Sequence, residues 1–217
     1  MREIWFLLKK EVTLELRNRY ALGGILLYVL STVFIIYFSF NKPEASAWNV
    51  LFWIVVLFAS VNAVVKGFQQ ESGKRQLFYY TLAHPLAIIL SKTIYHCLLL
   101  LTISLLTFAA FSLVAGNPVK NMDEFLLALL LGSIGFSINL TFVSAIASKA
   151  NNSATLMAIL SFPLVIPILM TLIKLSTSAL ALSPMGQEIQ SDILILVAID
   201  LLLLAFSLIL FPFLWRD

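Results

Sequence analysis

Six long apolar segments, separated by short polar loops, dominate the pattern of hydrophobic and polar positions along the chain. A helix needs about 20 residues to cross a hydrocarbon core of about 30 Å, and the segments are close to that length. Their apolar residues run continuously and do not alternate, which favours helices over the strands of a membrane barrel. The predicted spans cover roughly residues 22–40, 48–65, 93–115, 124–147, 154–174 and 192–214.

Residues 1–21 predict a further helix that lies along the membrane surface. Ile4, Leu8 and Val12 begin an apolar series with a period of four residues, while Lys9 and Lys10 occupy other faces. Such a basic amphipathic helix is typical of the interface with anionic head groups. It is either a plain anchor or a lever between a cytoplasmic partner and the first span. The chain is thus predicted to be an all-α integral membrane protein with one domain, 1–217.

The connection between the second and third spans, residues 66–92, is the longest loop on the side of the N-terminus. Ser72-Gly73 is a turn signal, and Pro85 suits the first turn of the next helix. Aromatic side chains beside charges suit a protein docking surface, whereas the alternative interpretation places these rings in the head-group belt. We favour a cytoplasmic coupling loop, with candidate docking contacts at Glu71, Lys74, Arg75, Leu77, Phe78, Tyr79 and Tyr80.

Polar and helix-breaking residues inside the spans are costly in lipid and mark candidate functional positions. Pro163 and Pro167 each remove a backbone hydrogen bond and predict a kink in the fifth span, which is either static or flexes during transport. Asp200 is the one acid deep within a span, and Lys174 is a candidate partner for it. Asn139 adds an amide to the fourth span. Structural pairing and a role in transport both remain open for Asp200.

Composition leaves no room for a separate soluble catalytic domain, because the chain has 217 residues, 61% of them hydrophobic and 12% charged. Uphill transport must therefore draw its energy from an ion gradient or from a partner. The net charge of +3 does not indicate nucleic-acid binding. Its distribution is more informative: with a cytoplasmic N-terminus, 11 of the 14 Lys and Arg residues lie inside and 3 outside. This positive-inside bias predicts that both termini are cytoplasmic.

Residues that could ligate a metal or carry out catalysis are sparse. Cys97 is the single cysteine, and His84 and His96 are the two histidines. Either histidine could ligate haem iron, but neither has a second ligand at suitable spacing on its helix, so structural roles are favoured. The chain also lacks a Ser-His-Asp set, an HExxH motif and paired catalytic carboxylates. We therefore expect a non-catalytic protein with no bound cofactor.

Four ordered segments give the chain a resemblance to a known family. The segments are Leu14-Glu15-Leu16-Arg17, the run from Gly73-Lys74-Arg75-Gln76-Leu77 through His84-Pro85 to Leu90-Ser91-Lys92, Leu129-Leu130-Leu131-Gly132, and Leu160-Ser161-Phe162-Pro163-Leu164-Val165-Ile166-Pro167. Together with the size and spacing, they resemble the B subunit of the cytochrome c maturation system, the CcmB haem-exporter permease family. The resemblance adds Glu15 and Arg17 as candidate contacts of the N-terminal helix. Members often carry an acid after the loop glycine, where this chain has Lys74.

The resemblance implies an ABC-2-type exporter-like fold in the bacterial inner membrane. It implies a cytoplasmic ABC ATPase, a haem-handling membrane subunit and a periplasmic haem chaperone as partners, with haem as the cargo of the complex. This sequence lacks the Trp-rich haem signature, which favours a conformational transducer over a haem-holding channel. Two alternatives remain: an ABC-2 permease for another substrate, such as a lipid-linked glycan, and a gradient-driven transporter. A homodimer and a heterodimer both fit.

Overall fold

The computed structural model describes residues 2–17, 19–40, 42–65, 84–148, 153–180 and 189–216. Within these ranges the regular structure consists of seven α-helices and contains no strand. They are α1 (Arg2–Arg17), α2 (Arg19–Phe40), α3 (Ala45–Val64), α4 (Pro85–Val114), α5 (Met122–Ala147), α6 (Ser153–Ala179) and α7 (Ile189–Arg216). Six of them, α2 to α7, are long and apolar enough to cross a membrane, which confirms the predicted number of spans.

The third span begins earlier than its hydrophobicity indicates. His84 is the N-cap of α4, and its side chain accepts a hydrogen bond from the Leu86 amide. Pro85 fits the first helical position, because it has no amide hydrogen to leave unpaired there. The last part of the predicted coupling loop, residues 85–92, therefore forms the first turns of α4. At the other side of the bundle, α6 continues beyond residue 174 to Ala179.

Contacts between helix ends establish that neighbouring spans run in opposite directions. The Trp48 indole, near the start of α3, donates to the Gly116 carbonyl just beyond α4 at 3.0 Å. The Asn121 amide, before α5, donates to the carbonyl of Ala179 at the end of α6. The starts of α2, α4 and α6 therefore share one end of the bundle, which we call the terminal end because α1 and the last turns of α7 lie there. The opposite end is called the distal end.

The central helix is α5, which packs against α3, α4, α6 and α7 and has most of its side chains buried. Two glycines permit this close packing. A Cβ atom at Gly132 would lie 2.9 Å from Trp53 Cζ3, and one at Gly135 would lie 2.6 Å from Asp200 Oδ1. Small residues let helix backbones approach closely in lipid, where no hydrophobic force drives helices together. The glycines therefore allow α5 to occupy the middle of the bundle.

The outer faces of the bundle are apolar. Large side chains such as Phe38 on α2, Met170 on α6 and Phe213 on α7 are exposed on these faces. Water solvates such a surface poorly, whereas the hydrocarbon of a bilayer solvates it well. The exposed surface and the helix lengths together indicate a multi-pass membrane protein.

Candidate functional site

An ion pair joins the N-terminal helix to the third span at the terminal end. Glu11 Oε1 on α1 lies 3.2 Å from Lys92 Nζ on α4 and 3.2 Å from Lys10 Nζ on its own helix. The Lys92 side chain is 2% exposed and that of Glu11 is 13% exposed. Because a buried charge is costly without its partner, this contact fixes the place where α1 lies on α4.

Apolar contacts reinforce the attachment of α1. Leu7 packs against a small cluster that α4, α5 and α7 form together at the terminal end. The buried members of this cluster are Ile88, Ile89, Ala145 and Phe211. The N-terminal helix is therefore attached to several spans at once, through the apolar contact of Leu7 and the ion pair of Glu11 on neighbouring turns.

The remaining surface of α1 faces away from the bundle. Trp5 and Phe6 are exposed there, and so is Val12, which the sequence pattern had assigned to the apolar series. The contact with the bundle instead runs through Leu7 and Glu11, four residues apart on one face. Ile4 and Leu8 of the predicted series are half-buried like Leu7, so the series differs from the structure at Val12, and it did not include the charged residue that contacts the bundle.

The predicted docking contacts lie outside the described residues. They are Glu71, Lys74, Arg75, Leu77, Phe78, Tyr79 and Tyr80. Glu15 and Arg17 fall within the bounds of α1, but their side chains are outside the described part of the chain as well. Their proposed roles therefore stay predictions.

Both predicted helix-breaking residues lie inside α6, which continues through Pro163 and Pro167 to Ala179. The two prolines are exposed on the outer surface of the bundle. The inner face of α6, with Val165 and Ile168, is packed into the core. A kink and its movement stay predictions, placed on the side of α6 that faces away from the core.

Polar side chains of α4 and α5 meet inside the bundle. His96 Nδ1 lies 2.7 Å from Thr141 Oγ1, and the hydroxyls of Ser104 and Ser133 lie 3.1 Å apart. All four residues are buried. His96 is therefore engaged with another span, and the hydrogen bonds cross between helices where lipid offers no substitute partner.

The structure brings Asn139 and Asp200, the two predicted intramembrane polar residues, into the core with 1% and 5% exposure. Within the described part of the chain, no side-chain atom of either residue has a hydrogen-bond partner. The expected pairing of Asp200 with Lys174 is wrong. Lys174 Nζ lies 2.6 Å from Asp192 Oδ1 instead. The reason is depth, because the distal end of α6 meets the first turn of α7, two turns before Asp200.

Buried hydrogen bonds hold α3 and α6 together at the distal end. Trp53 Nε1 donates to Ser176 Oγ at 2.8 Å, and Asn49 Nδ2 donates to the Ile173 carbonyl at 2.9 Å. Asn49 Oδ1 in turn lies 2.8 Å from Ser176 Oγ. Because these groups are shielded from water, breaking any one of them leaves a costly unpaired polar atom. We call this set the distal network.

Sequence reasoning missed Glu11, Lys92 and Asp192 as interacting residues. One available signal was a lysine within the apolar run that begins at Pro85, because a lysine inside a span needs a partner. The sequence did not identify that partner, since α1 carries several acids on different faces. The choice of Glu11 depends on how α1 packs across the ends of the spans.

The fold and these contacts define the class: a polytopic α-helical membrane protein with an amphipathic helix fastened to its bundle. The family model described as CcmB protein matches residues 2–215. The chain therefore belongs to the CcmB family, the membrane component of the haem exporter for cytochrome c maturation. This confirms the family resemblance found in the sequence. A search of curated proteins gave no match.

Proposed function

We propose that the chain is a conformational transducer, which couples ATP hydrolysis by a separate cytoplasmic ABC ATPase to rearrangement of the membrane domain. The observation that carries this proposal is the buried contact between Glu11 and Lys92. It ties α1 to the span that directly follows the coupling loop. An ATPase bound to residues 66–83 then moves the start of α4, and α1 moves with it.

The geometry of α4 supports its role as the lever. The helix has 30 residues, and at about 1.5 Å per residue it extends about 45 Å. Its first turn is defined by the His84 cap and by Pro85. A displacement applied at this capped end is transmitted along a continuous helix, and Lys92 lies only two turns further on.

The distal network supports a division of the bundle into a stationary and a moving part. Asn49, Trp53 and Ser176 connect α3 to α6 through buried hydrogen bonds. The terminal end is held by the small cluster around Leu7 and by the pair of Glu11 and Lys92. We infer that α1, α4 and α7 shift at the terminal end while the distal ends of α3, α5 and α6 stay together.

The positions of the histidines favour a transducer over a haem-holding channel. His84 accepts the Leu86 amide as a helix cap, and His96 is hydrogen-bonded to Thr141 inside the bundle. We propose that haem is the cargo of the complex, handled by a second membrane subunit and a periplasmic haem chaperone.

The charge distribution supports placing the terminal end on the cytoplasmic side of a bacterial inner membrane, with both chain termini inside. The surface of α1 fits this location. Trp5 and Phe6 are exposed next to the exposed Lys9. Aromatic rings and lysines together suit the head-group region of an anionic leaflet.

Charge reversal in the coupling loop tests the proposal. The double variant Lys74→Glu/Arg75→Glu is expected to lose co-purification of the ATPase in mild detergent, because the docking surface then repels its partner. The matched control is Lys42→Glu/Lys120→Glu, which reverses two exposed lysines at the distal end. That control is expected to retain the ATPase.

Two results contradict the proposal. One is unchanged co-purification of the ATPase with the loop variant, given equal membrane insertion of both variants. The other is transport of solute by the purified chain in vesicles that contain no nucleotide-hydrolysing partner. The second result supports the gradient-driven alternative.

A further inference from the structure

Asp200 lies directly against the backbone of the central helix. Its Oδ1 atom is 2.6 Å from the position that a Cβ of Gly135 would occupy, and its Cγ atom is 3.3 Å from the same position. Gly135 therefore makes the space into which the carboxylate fits. The residue is 5% exposed, and neither of its oxygens has a hydrogen-bond partner in the described ranges.

Asn139 is a second buried polar residue on the part of α5 that Asp200 contacts. It lies one turn after Gly135 on the same face of α5, since residues four apart are neighbours on a helix surface. Side chains on a helix lean toward its N-terminus, so the Asn139 amide leans toward Gly135 and the carboxylate beside it. Asn139 is 1% exposed, and neither its Oδ1 nor its Nδ2 has a partner among the described residues. Two buried polar side chains without hydrogen-bond partners in the described ranges are thus associated with neighbouring turns of α5.

The charged groups of the surrounding helices are engaged elsewhere. The main helix neighbours of α7 within the bundle are α4, α5 and α6. Lys92 is paired with Glu11, and Lys174 with Asp192. The titratable side chains on α4 to α7 are Lys92, Tyr95, His96, Cys97, Asp123, Glu124, Lys174, Asp192, Asp200 and Arg216, the last of which ends α7 about four turns beyond Asp200. No ion pair joins Asp200 to a basic side chain of the described part of the chain.

A carboxylate inside a span needs a compensating positive charge. We propose that Asp200 and Asn139 form a site between α5 and α7 for a small monovalent cation, either a proton or a sodium ion. Two carboxylate oxygens and the Asn139 carbonyl oxygen are the hard ligands that a sodium ion prefers, and the same carboxylate accepts a proton. This site is independent of the proposed ATPase coupling.

Carbodiimide labelling of the purified full-length chain tests the site, because the reagent modifies protonated carboxyl groups in apolar surroundings. Peptide mass spectrometry is expected to locate the label at Asp200 in the wild type and to find none there in Asp200→Asn. If sodium is the ion, sodium chloride slows labelling relative to potassium chloride at constant pH. About 100 mM sodium then slows it about tenfold for a dissociation constant of about 10 mM. If the proton is the ion, raising the pH slows labelling equally in both salts.

Two variants and a thermal unfolding measurement serve as controls for the labelling experiment. Asp192→Asn changes an acid on the same helix that already has a lysine partner, so it is expected to leave the labelling of Asp200 and its ion dependence unchanged. Asn139→Ala is expected to weaken protection by sodium if sodium is the ion. Thermal unfolding of wild type and Asp200→Asn in both salts and across pH gives a second measurement. Two results together overturn the proposal. The labelling rate at Asp200 is independent of sodium and of pH, and so is the difference in unfolding midpoint between the wild type and Asp200→Asn. If Asp200→Asn does not fold, labelling of the wild type decides alone.

Discussion

Glu11 on α1 and Lys92 on α4 are 81 positions apart in the sequence, yet their charged atoms lie 3.2 Å apart in the structure. The Lys92 side chain is 2% exposed, and α1 packs against the helix that carries it. Neither helix can shift far from the other without exposing or separating the pair. This relationship makes the N-terminal helix part of the bundle, and it gives motion at the start of α4 a direct route into α1.

Removing the acid from this pair is expected to weaken the attachment of α1. Glu11→Gln leaves the buried Lys92 ammonium without a carboxylate that it contacts now, at an expected cost of about 2 kcal/mol in unfolding free energy. We expect cytochrome c maturation in cells to fall while the ATPase still co-purifies, because docking is separate from transmission. Maturation is measured in cells, and co-purification of the ATPase is measured on the complex purified from them.

Two further variants test whether the charge pair itself causes this effect. Glu3→Gln removes an acid from an exposed position of the same helix and is expected to have no effect. The exchange Glu11→Lys/Lys92→Glu preserves opposite charges and is expected to recover part of the lost maturation. If Glu3→Gln and Glu11→Gln behave alike, the contact has no role in transmission.

Glycines of the bundle are expected to tolerate alanine to different degrees. Gly132→Ala places a Cβ 2.9 Å from the Trp53 ring, which is held by its bond to Ser176, at a cost of about 2 kcal/mol. Gly135→Ala meets the end of the Asp200 side chain, which can rotate, and costs about 1 kcal/mol. Gly24→Ala has no neighbour within 4 Å. It is expected to be neutral or slightly stabilising.

Thermal unfolding of the three purified variants in the same detergent ranks the costs of the three substitutions. A midpoint for Gly132→Ala equal to that of Gly24→Ala would show that α5 does not depend on close approach to α3. If the substitutions do not change the assembly of the protein, the unfolding midpoint of Gly135→Ala is expected to lie between those of Gly132→Ala and Gly24→Ala.

Loss of one hydroxyl is expected to disrupt the distal network. Ser176→Ala removes the partner of Trp53 Nε1 and of Asn49 Oδ1, both of which are buried. The expected cost is about 2 kcal/mol, the usual range for a buried polar group left unpaired. Thr171→Ala on the same helix is the control, because that exposed hydroxyl bonds only to the carbonyl of Pro167 on its own helix. Equal unfolding midpoints for these variants would contradict the network's importance.

Hydrophobicity alone predicted the number of spans. A long apolar run in lipid forms a helix because its backbone groups must hydrogen-bond within the segment. The start of α4 at Pro85 was harder to place. Its first turns, from Pro85 to Leu90, are apolar, but Ser91 and Lys92 interrupt the apolar run, so the predicted span began only after Lys92.

The pairing of charged side chains could not be predicted in the same way. Lys174 had two acids within reach along the sixth span, Asp192 and Asp200, and only the relative depth of α6 and α7 decides between them. The same holds for Glu11, whose role depends on the angle at which α1 crosses the bundle. Periodicity gives the faces of single helices, whereas these contacts depend on the rotation and depth of one helix against another.

The pair of Lys174 and Asp192 is expected to respond unequally to removal of its two members. The Lys174 side chain is 53% exposed, whereas that of Asp192 is 3% exposed. Asp192→Asn leaves a lysine that water can solvate, at a cost of about 1 kcal/mol. Lys174→Met leaves a buried carboxylate without its cation and is expected to cost about 2 kcal/mol or more. Unfolding midpoints in one detergent compare the two. A larger decrease of the unfolding midpoint for Asp192→Asn than for Lys174→Met would mean that the hydrogen-bonding geometry of the acid, and not its charge, stabilises the contact between α6 and α7.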